Sequence, residues 1–388
     1  MIPYGRHSID DEDVKAVVDV LRSNWLTQGP KVEEFEKALC EYCAAKYGVV
    51  FSSGTAALHA AYFAAGFASG DEFVVTPMTF AATVNAALWF GAKPIFADID
   101  ARGNIDPNKV KDKITSRVKA IVAVDFAGHP VEYDALKEIA DANGILLIED
   151  ACHSLGASYG DKKIGSFSDM TVFSFHPGKS ITTGEGGAVV TNSKIFYERL
   201  KQFRSHGIVK EKEKFMRKNE GEWYYEMQEL GLNYRLTDIQ AALGLSQLKK
   251  LDRFIERRRI IAKKYQGTFS DLGQVELPSE AAGVSSSWHL YPIRLKPEWV
   301  KKKPEIFARL REAGIGVQTH YIPVYLHPYY QKRGFAAGLC PMAEEFYQSE
   351  ISLPIYPAMT EEQQAVFLES LKKREARLQQ QTQSGSNY

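Results

Sequence analysis

Along the first 240 residues, segments with helical spacing of hydrophobic positions alternate with short apolar runs typical of strands, and this alternation predicts an α/β architecture. Residues 10–24 and 31–45 repeat apolar positions at helical spacing, which predicts two amphipathic helices. Short apolar runs then alternate with helical patterns. Strands are predicted at 47–53, 72–76, 94–98, 120–125, 145–149, 170–175 and 187–191, and helices at 55–65, 79–91, 133–143, 193–206 and 237–265. Such apolar strands are typical of a mostly parallel sheet between two layers of helices.

The pattern changes towards the C-terminal end. Beyond residue 270 we predict an α+β arrangement, with strands at 288–295 and 315–321 and helices at 303–313, 341–350 and 360–380. The charged stretch 209–226 is predicted to be a solvated excursion. We therefore expect a large α/β domain with an N-terminal arm over 1–240, a smaller α+β domain over 241–376, and a polar tail over 377–388.

Charge and composition narrow the choice of partners. The 48 basic side chains balance 48 acidic ones, which argues against nucleic acid or a membrane surface as a partner. The N-terminal stretch has no apolar signal core and no run is long enough to span a bilayer, so we expect a cytoplasmic protein. Cys40 and Cys43 form a C-x-x-C in a helical pattern without a second pair. We interpret them as two packed side chains and expect no metal site.

The segment SSGTAAL (52–58) is the first with candidate chemistry. A strand ends, Gly54 permits a tight turn, and a helix begins near Thr55. The free backbone N–H groups of a helix N-terminus can bind a phosphate. An ordinary N-cap role for Thr55 explains the same residues and stays open.

A second segment, ILLIEDACH (145–153), places two adjacent carboxylates at the end of a buried strand. Open α/β sheets bind ligands at this edge. Asp150 there could pair with a positively charged ring nitrogen or a metal, whereas a structural salt bridge is the alternative.

The third segment is MTVFSFHPGKSITTGEGG (170–187), where Lys179 follows a buried strand. A phosphate-binding P-loop is excluded, because Phe173 stands where its first glycine is required and a strand, not a helix, follows. A lysine held at a strand end is suited to a Schiff base with a carbonyl compound. Pyridoxal phosphate requires a phosphate-binding helix N-terminus, a carboxylate for its ring nitrogen and a lysine for its aldehyde, and the chain supplies these groups in this order.

Several blocks together resemble one family. SGTAAL, IEDACHSLGA, SFHPGKSITTGEGGAVVTN and GLNYRLTDIQAALGLSQLKKLD are similar to the DegT/DnrJ/EryC1/StrS nucleotide-sugar aminotransferases. This resemblance implies the fold of fold-type I pyridoxal phosphate enzymes, with a mostly parallel seven-stranded sheet, and transaminase activity.

The resemblance also implies roles around the cofactor ring. Lys179 is expected to hold the cofactor aldehyde and to move the proton, and Asp150 to pair with the ring nitrogen. His153, where many relatives have Gln, is expected beside the ring hydroxyl. Phe80 is expected to stack on the ring, with a plain core position as its alternative.

For the cofactor phosphate, the resemblance implies contacts from four residues. The backbone N–H groups of Thr55 and Ala56 and the hydroxyl of Ser174 are expected to bind it within one chain. Arg235 is expected to reach it from a neighbouring subunit, which makes the protein a homodimer with shared active sites.

The expected substrates come from the same resemblance. Glutamate is the implied donor, and LTQGP, KAIVAVDFAG and HYIPVY resemble the members that aminate C4 of a UDP-linked 4-keto-6-deoxy sugar in pseudaminic acid biosynthesis. Candidate sugar contacts are Trp25, Thr27, Gln28, His320 and Tyr321. Another nucleotide-linked 4-keto sugar, and a non-catalytic regulator with this fold, remain as alternatives.

Overall fold

The computed structural model describes residues 1–218 and 220–367. Its helices are α1 (Asp11–Leu21), α2 (Pro30–Cys43), α3 (Gly54–Ala64), α4 (Ala82–Leu88), α5 (Pro107–Lys111), α6 (Tyr133–Asn143), α7 (Lys194–Arg204), α8 (Asp238–Leu248), α9 (Leu251–Phe269), α10 (Pro297–Val300), α11 (Lys303–Glu312), α12 (Pro328–Gln331) and α13 (Pro341–Ser349). Its strands are β1 (Tyr47–Phe51), β2 (Glu72–Val75), β3 (Lys93–Phe96), β4 (Val118–Val124), β5 (Leu146–Asp150), β6 (Ser158–Tyr159), β7 (Lys162–Lys163), β8 (Met170–Ser174), β9 (Gly187–Thr191), β10 (Ile208–Val209), β11 (Glu226–Met227), β12 (Val275–Glu276), β13 (Val284–Ser285), β14 (Tyr291–Leu295) and β15 (Glu350–Leu353).

A seven-stranded sheet forms the centre of the molecule, in the order β1-β9-β8-β5-β4-β2-β3. Neighbours from β8 to β3 are parallel, and β9 runs antiparallel to both β1 and β8. The mostly parallel seven-stranded sheet that we predicted is therefore confirmed. Since β4, β5 and β8 are adjacent and parallel, their carboxyl ends meet at one edge of the sheet.

Two apolar layers cover this sheet, because successive side chains of a strand point to opposite faces. In β5, Ile148 packs on the face covered by α3, α4 and α7, whereas Leu147 packs on the face covered by α2 and α6. Because of this alternation, the adjacent carboxylates of Glu149 and Asp150 point to opposite faces of the sheet.

The C-terminal part has its own core around a three-stranded sheet, β12-β14-β15. Helix α9 joins this core to the central one, since Leu251 and Phe254 pack near the central sheet while Tyr265 and Phe269 pack in the C-terminal core. The α+β arrangement predicted beyond residue 270 is confirmed. The domain boundary near residue 240 stays a prediction, and α8 crosses it while packing on α1 and α2.

Three predicted elements differ in the structure. The prediction of a strand at 315–321 is wrong: within the described residues, this segment makes only isolated bridges, from Ile315 to Ile2 and from Gln318 to Ser352. The single helix predicted at 237–265 is instead two helices, α8 and α9, with a break at Lys250. The ammonium group of Lys250 forms a salt bridge with Asp13 at 3.0 Å. The helix predicted at 360–380 is present over 361–367, and its remainder, with the tail 377–388, lies outside the described residues.

The charged excursion at 209–226 is closed by the small β10–β11 pair, and Lys212–Lys214 form one turn of 3-10 helix within it. Its Trp223 side chain is largely exposed. Among the described helices, none is both long and apolar enough to cross a membrane.

Candidate active site

A cavity of about 450 Å³ opens where the carboxyl ends of β5 and β8 meet the N-terminus of α3. This is the edge at which parallel sheets bind ligands. Eight of the predicted site residues line it: Thr55, Phe80, Asp150, His153, Ser174, Lys179, His320 and Tyr321.

Asp150 is the last residue of β5 and is 5% exposed. Its Oδ2 accepts a hydrogen bond from Thr83 Oγ1 at 2.6 Å, and its Oδ1 accepts the backbone N–H of Cys152 at 3.2 Å. Thr83 Oγ1 lies 2.7 Å from Thr79 Oγ1, so a chain of hydroxyl groups fixes the carboxylate. Thr83 could not be identified from the sequence, because only the fold brings α4 to the end of β5.

The neighbouring carboxylate, Glu149, points to the opposite face of the sheet and is fully buried. Its Oε2 accepts hydrogen bonds from Ser168 at 3.0 Å and from Thr171 at 2.8 Å. The Tyr133 hydroxyl lies within hydrogen-bond distance of both Glu149 and the buried Asp125. Burial raises the pKa of Glu149 well above its ordinary value, and the nearby charge of Asp125 adds to this effect. Glu149 therefore belongs to a structural cluster and not to the cavity.

Lys179 lies on the loop between β8 and β9, and its side chain lines the cavity. Burial lowers the pKa of its amino group, because removal from water disfavours the charged form. Cys152 and Asp150 oppose this shift. A lysine with a lowered pKa is more readily available as a nucleophile and as a base.

The N-terminus of α3 forms another wall. Its N-cap is Ser53, whose Oγ accepts the Ala56 backbone N–H at 3.1 Å, so the alternative that Thr55 is the cap is wrong. Thr55 is exposed and lines the cavity, whereas Ala56 is buried and does not line it. A Cβ on Gly54 would lie 2.9 Å from that of Ser174, so the close approach of α3 to β8 requires glycine there.

Three aromatic side chains pack together on the opposite wall. His153 Nε2 lies 3.0 Å from the Tyr321 hydroxyl, and the rings of His153 and His289 are 4.3 Å apart between centroids. The Nδ1 atoms of both histidines are buried without a hydrogen-bond partner among the described residues. Burial lowers the pKa of both imidazoles well below the ordinary value, so both are neutral near pH 7. His289 could not be identified from the sequence, since nothing in its own segment distinguishes it from other histidines.

Phe80 is 63% exposed and lines the cavity, which excludes the alternative of a core aromatic. Its ring lies 6.4 Å from that of Tyr321. His320, 9% exposed, completes this side, with the ring of Tyr4 from the N-terminal arm 5.8 Å away.

The remaining predicted residues lie elsewhere. Arg235 and Gln28 line a separate groove of about 640 Å³, together with Lys201 and Arg204. Thr27 pairs with Thr237 in the same region, and Trp25 is 56% exposed. Within one chain, Arg235, Gln28, Thr27 and Trp25 therefore lie near one another, and they do not line the cavity.

The C-x-x-C pair has the expected packed character. Cys43 is fully buried and Cys40 half-buried, and both are free thiols. Burial raises the pKa of Cys40 to about 11, with Glu36 and Glu41 adding to the shift, so its thiolate is scarce. Over residues 1–218 and 220–367, no group of three or more His, Cys, Asp or Glu could hold a metal.

Comparison with known proteins agrees with this geometry. The family model for DegT/DnrJ/EryC1/StrS aminotransferases matches residues 7–372. The UDP-4-amino-4,6-dideoxy-N-acetyl-beta-L-altrosamine transaminase of Campylobacter jejuni is 44% identical over 362 residues, which are 92% of this chain and 93% of that protein. The chain therefore belongs to the DegT/DnrJ/EryC1/StrS aminotransferase family.

Solved structures show the same architecture. Helicobacter pylori PseC, an aminotransferase involved in the biosynthesis of pseudoaminic acid, superposes with a TM-score of 0.91 at 39% identity, over 96% of this chain and 98% of that one. The PLP form of Streptococcus pneumoniae Spr1654 superposes with a TM-score of 0.89 at 29% identity, over 97% of this chain and 99% of that one. The fold is thus that of the pyridoxal phosphate-dependent aminotransferases.

Proposed function

We propose that this protein is a pyridoxal phosphate-dependent aminotransferase that moves an amino group from glutamate to C4 of a UDP-linked 4-keto-6-deoxy-N-acetylhexosamine. The observation that carries the proposal is the convergence of Lys179 and Asp150 in one cavity, from a loop and a strand end that are separate in the sequence. The 44% identity to the Campylobacter transaminase supports the choice of sugar. We place the reaction in the cytoplasm.

The residues of the cavity fit pyridoxal phosphate. His153 lines the cavity beside Tyr321, and an imidazole there is suited to a hydrogen bond with a polar group such as the ring hydroxyl. Asp150 supplies a fixed negative charge for the ring nitrogen, and Phe80 an exposed ring to stack on it. The helix N-terminus at Thr55, with Ser174 beside it, is suited to the phosphate.

When bound, the cofactor supplies an aldehyde for the amine and a ring that withdraws electrons from the reacting carbon. The protein supplies the rest. Lys179, with its lowered pKa, would accept the proton of the donor amino acid as a base and would then give it up as an acid. Asp150 stabilises a positive charge on the ring nitrogen. The neutral His153, held against the Tyr321 hydroxyl, would help to orient the ring.

The proposal includes a homodimer with shared sites. Arg235, Gln28 and Thr27 lie together but away from the cavity of their own chain. This placement is what a site completed by a neighbouring subunit requires, with Arg235 at the cofactor phosphate and Trp25, Thr27 and Gln28 near the sugar.

One reaction tests the proposed substrate. Purified protein loaded with pyridoxal phosphate is incubated with glutamate and a UDP-, GDP- or dTDP-linked 4-keto-6-deoxy sugar, and the products are identified by mass and NMR. We expect a UDP-linked 4-amino sugar and 2-oxoglutarate. Amination of only the GDP- or dTDP-linked sugar would reject the proposed substrate. If glutamate does not bleach the absorbance of the bound cofactor, the proposed glutamate-dependent transaminase activity is rejected.

A second experiment tests the lysine. Borohydride reduction of the loaded protein is expected to fix the cofactor on the peptide that contains Lys179. The Lys179→Arg variant, which keeps the charge, serves as the control and is expected to remain unlabelled. Labelling of another peptide in the wild-type protein would contradict the assignment.

A further inference from the structure

A short line of hydrogen bonds lies behind His320, and the proposed chemistry does not use it. His320 Nδ1 is 2.8 Å from Ser352 Oγ, and Ser352 Oγ is 2.5 Å from Glu350 Oε1. The other oxygen, Oε2 of Glu350, accepts the backbone N–H of His320 at 2.8 Å. Ser352 and Glu350 belong to β15, are fully buried, and are not part of the cavity wall. His320 does line the cavity, and within the described part of the chain its imidazole is bonded through Nδ1, which leaves Nε2 for the cavity side.

This arrangement couples the proton on Glu350 to the tautomer of His320. Because Oε2 is occupied by the backbone N–H, a proton on Glu350 lies on Oε1, facing Ser352. When Glu350 is ionised, Ser352 donates to it and accepts from Nδ1–H, so Nε2 presents a lone pair to the cavity. When Glu350 is protonated, it donates to Ser352, Ser352 donates to Nδ1, and Nε2 carries the hydrogen.

We infer that Ser352 and Glu350 are positioning residues that set the tautomer of His320, so that Nε2 changes from acceptor to donor when Glu350 takes up one proton. The step balances: a proton enters at Nε2, the Nδ1 proton passes to Ser352, and the Ser352 proton passes to Glu350. The imidazole is neutral before and after. The inference rests on the proposed function, because a donor at Nε2 can bind a carbonyl oxygen of the sugar whereas a lone pair cannot.

The electrostatics place this change near neutral pH. Burial raises the pKa of Glu350 to about 8, against the opposing effects of Ser352, the His320 N–H and Lys303. Burial, together with the charge of Lys179, lowers the pKa of His320 to about 4, so its imidazole is neutral where Glu350 titrates. The donor form is therefore expected below about pH 8, and the acceptor form above it.

The other charged and aromatic groups near His320, Ser352 and Glu350 do not take over the hydrogen bonds among these three residues. Arg294 is the cross-strand partner of Glu350, but its guanidinium pairs with Glu276. Tyr4 and Tyr321 contact the His320 ring with centroids 5.8 and 4.8 Å away.

Nitrogen NMR of the full-length protein, labelled with ¹⁵N-histidine, tests the inference without any substrate. The His320→Gln variant identifies the resonances. In the wild type we expect Nε2–H well below pH 8 and Nδ1–H well above it. Glu350→Gln is expected to hold Nε2–H at every pH, because its amide oxygen accepts the His320 N–H while its NH₂ group donates to Ser352.

Two variants of Ser352 provide the matched control. Ser352→Ala interrupts the line and is expected to abolish the pH-dependent change, whereas Ser352→Thr retains the hydroxyl and is expected to keep it. Circular dichroism and thermal melting report whether each variant folds. A His320 tautomer that is constant with pH in the wild type, or that still changes in Glu350→Gln, would overturn the inference.

The KM for the acceptor sugar separates this inference from the proposed function. Loss of one hydrogen bond to substrate predicts a KM about tenfold higher above pH 8 than below it in the wild type, and a flat profile in Glu350→Gln. A tautomer change without any amination of the sugar supports the relay and rejects the proposed function. Amination with a constant tautomer rejects the relay alone.

Discussion

Replacing Asp150 by Asn removes one negative charge from the cavity and keeps the shape of the side chain. The amide oxygen can still accept the Cys152 N–H, which lies 3.2 Å from Oδ1. The amide nitrogen replaces Oδ2, and Thr83 can turn its hydroxyl towards Thr79, 2.7 Å away, and accept from the amide. We therefore expect the fold to lose no more than about 1 kcal/mol, the difference between a charged and a neutral hydrogen bond.

The loss of activity is expected to be much larger. With an effective dielectric constant of about 20, two unit charges about 4 Å apart attract each other by about 4 kcal/mol. Since about 1.4 kcal/mol changes a rate tenfold, the loss of the Asp150 charge opposite a protonated ring nitrogen predicts a turnover about a thousandfold lower. Binding of the cofactor also depends on its phosphate and ring contacts, so we expect its affinity to change less than turnover.

The glutamate half-reaction, followed by cofactor absorbance in a single turnover and normalised to bound cofactor, measures this effect. Thr83→Val is the control, because it removes a hydrogen bond from Asp150 but keeps the charge, and we expect a loss of about tenfold. Equal turnover in Asp150→Asn and Thr83→Val would refute the role of the charge.

Three other predictions concern the rest of the structure. Burial raises the pKa of Glu149, so the stabilisation from its protonated carboxyl is complete below the ordinary carboxyl pKa and is lost as pH rises through the raised value. In urea titrations, Glu149→Gln should flatten this fall of the unfolding free energy with pH. Glu149→Ala should lower the unfolding free energy by about 3–5 kcal/mol. Mixing Arg235→Ala with Lys179→Ala should restore about a quarter of the activity through hybrid dimers, and no recovery despite subunit exchange would exclude shared sites. Phe80→Ala should change unfolding by less than about 0.5 kcal/mol, because the ring is exposed, but weaken cofactor binding about three- to tenfold, and unchanged binding would argue against stacking.

The central sheet and two of its functional groups could be predicted because they depend on short stretches of chain. Asp150 and Lys179 follow apolar strands, and parallel strands bring their carboxyl ends to one edge. The strand predicted at 315–321 is absent because a strand requires a continuous partner. Its residues have the apolar pattern, but only isolated contacts to Ile2 and Ser352 are available.

The supporting residues could not be predicted, since each comes from a remote segment. Thr83 bonds Asp150 across 67 positions, and the ring of His289 packs against His153 from beyond residue 280. A threonine in a helix pattern and a histidine in a strand pattern are too common to indicate a role. Only their distances in the folded chain distinguish them.

The sequence by itself determined the α/β architecture and the order of cradle, carboxylate and lysine, because hydrophobic periodicity and turn residues act over a few positions. Only the tertiary structure decided that Asp150 faces the cavity while Glu149 joins Asp125 and Tyr133, and that Ser352 and Glu350 stand behind His320. The physical reason is that hydrogen bonds and desolvation act over a few ångströms in space. Their partners are chosen by packing and not by proximity along the chain.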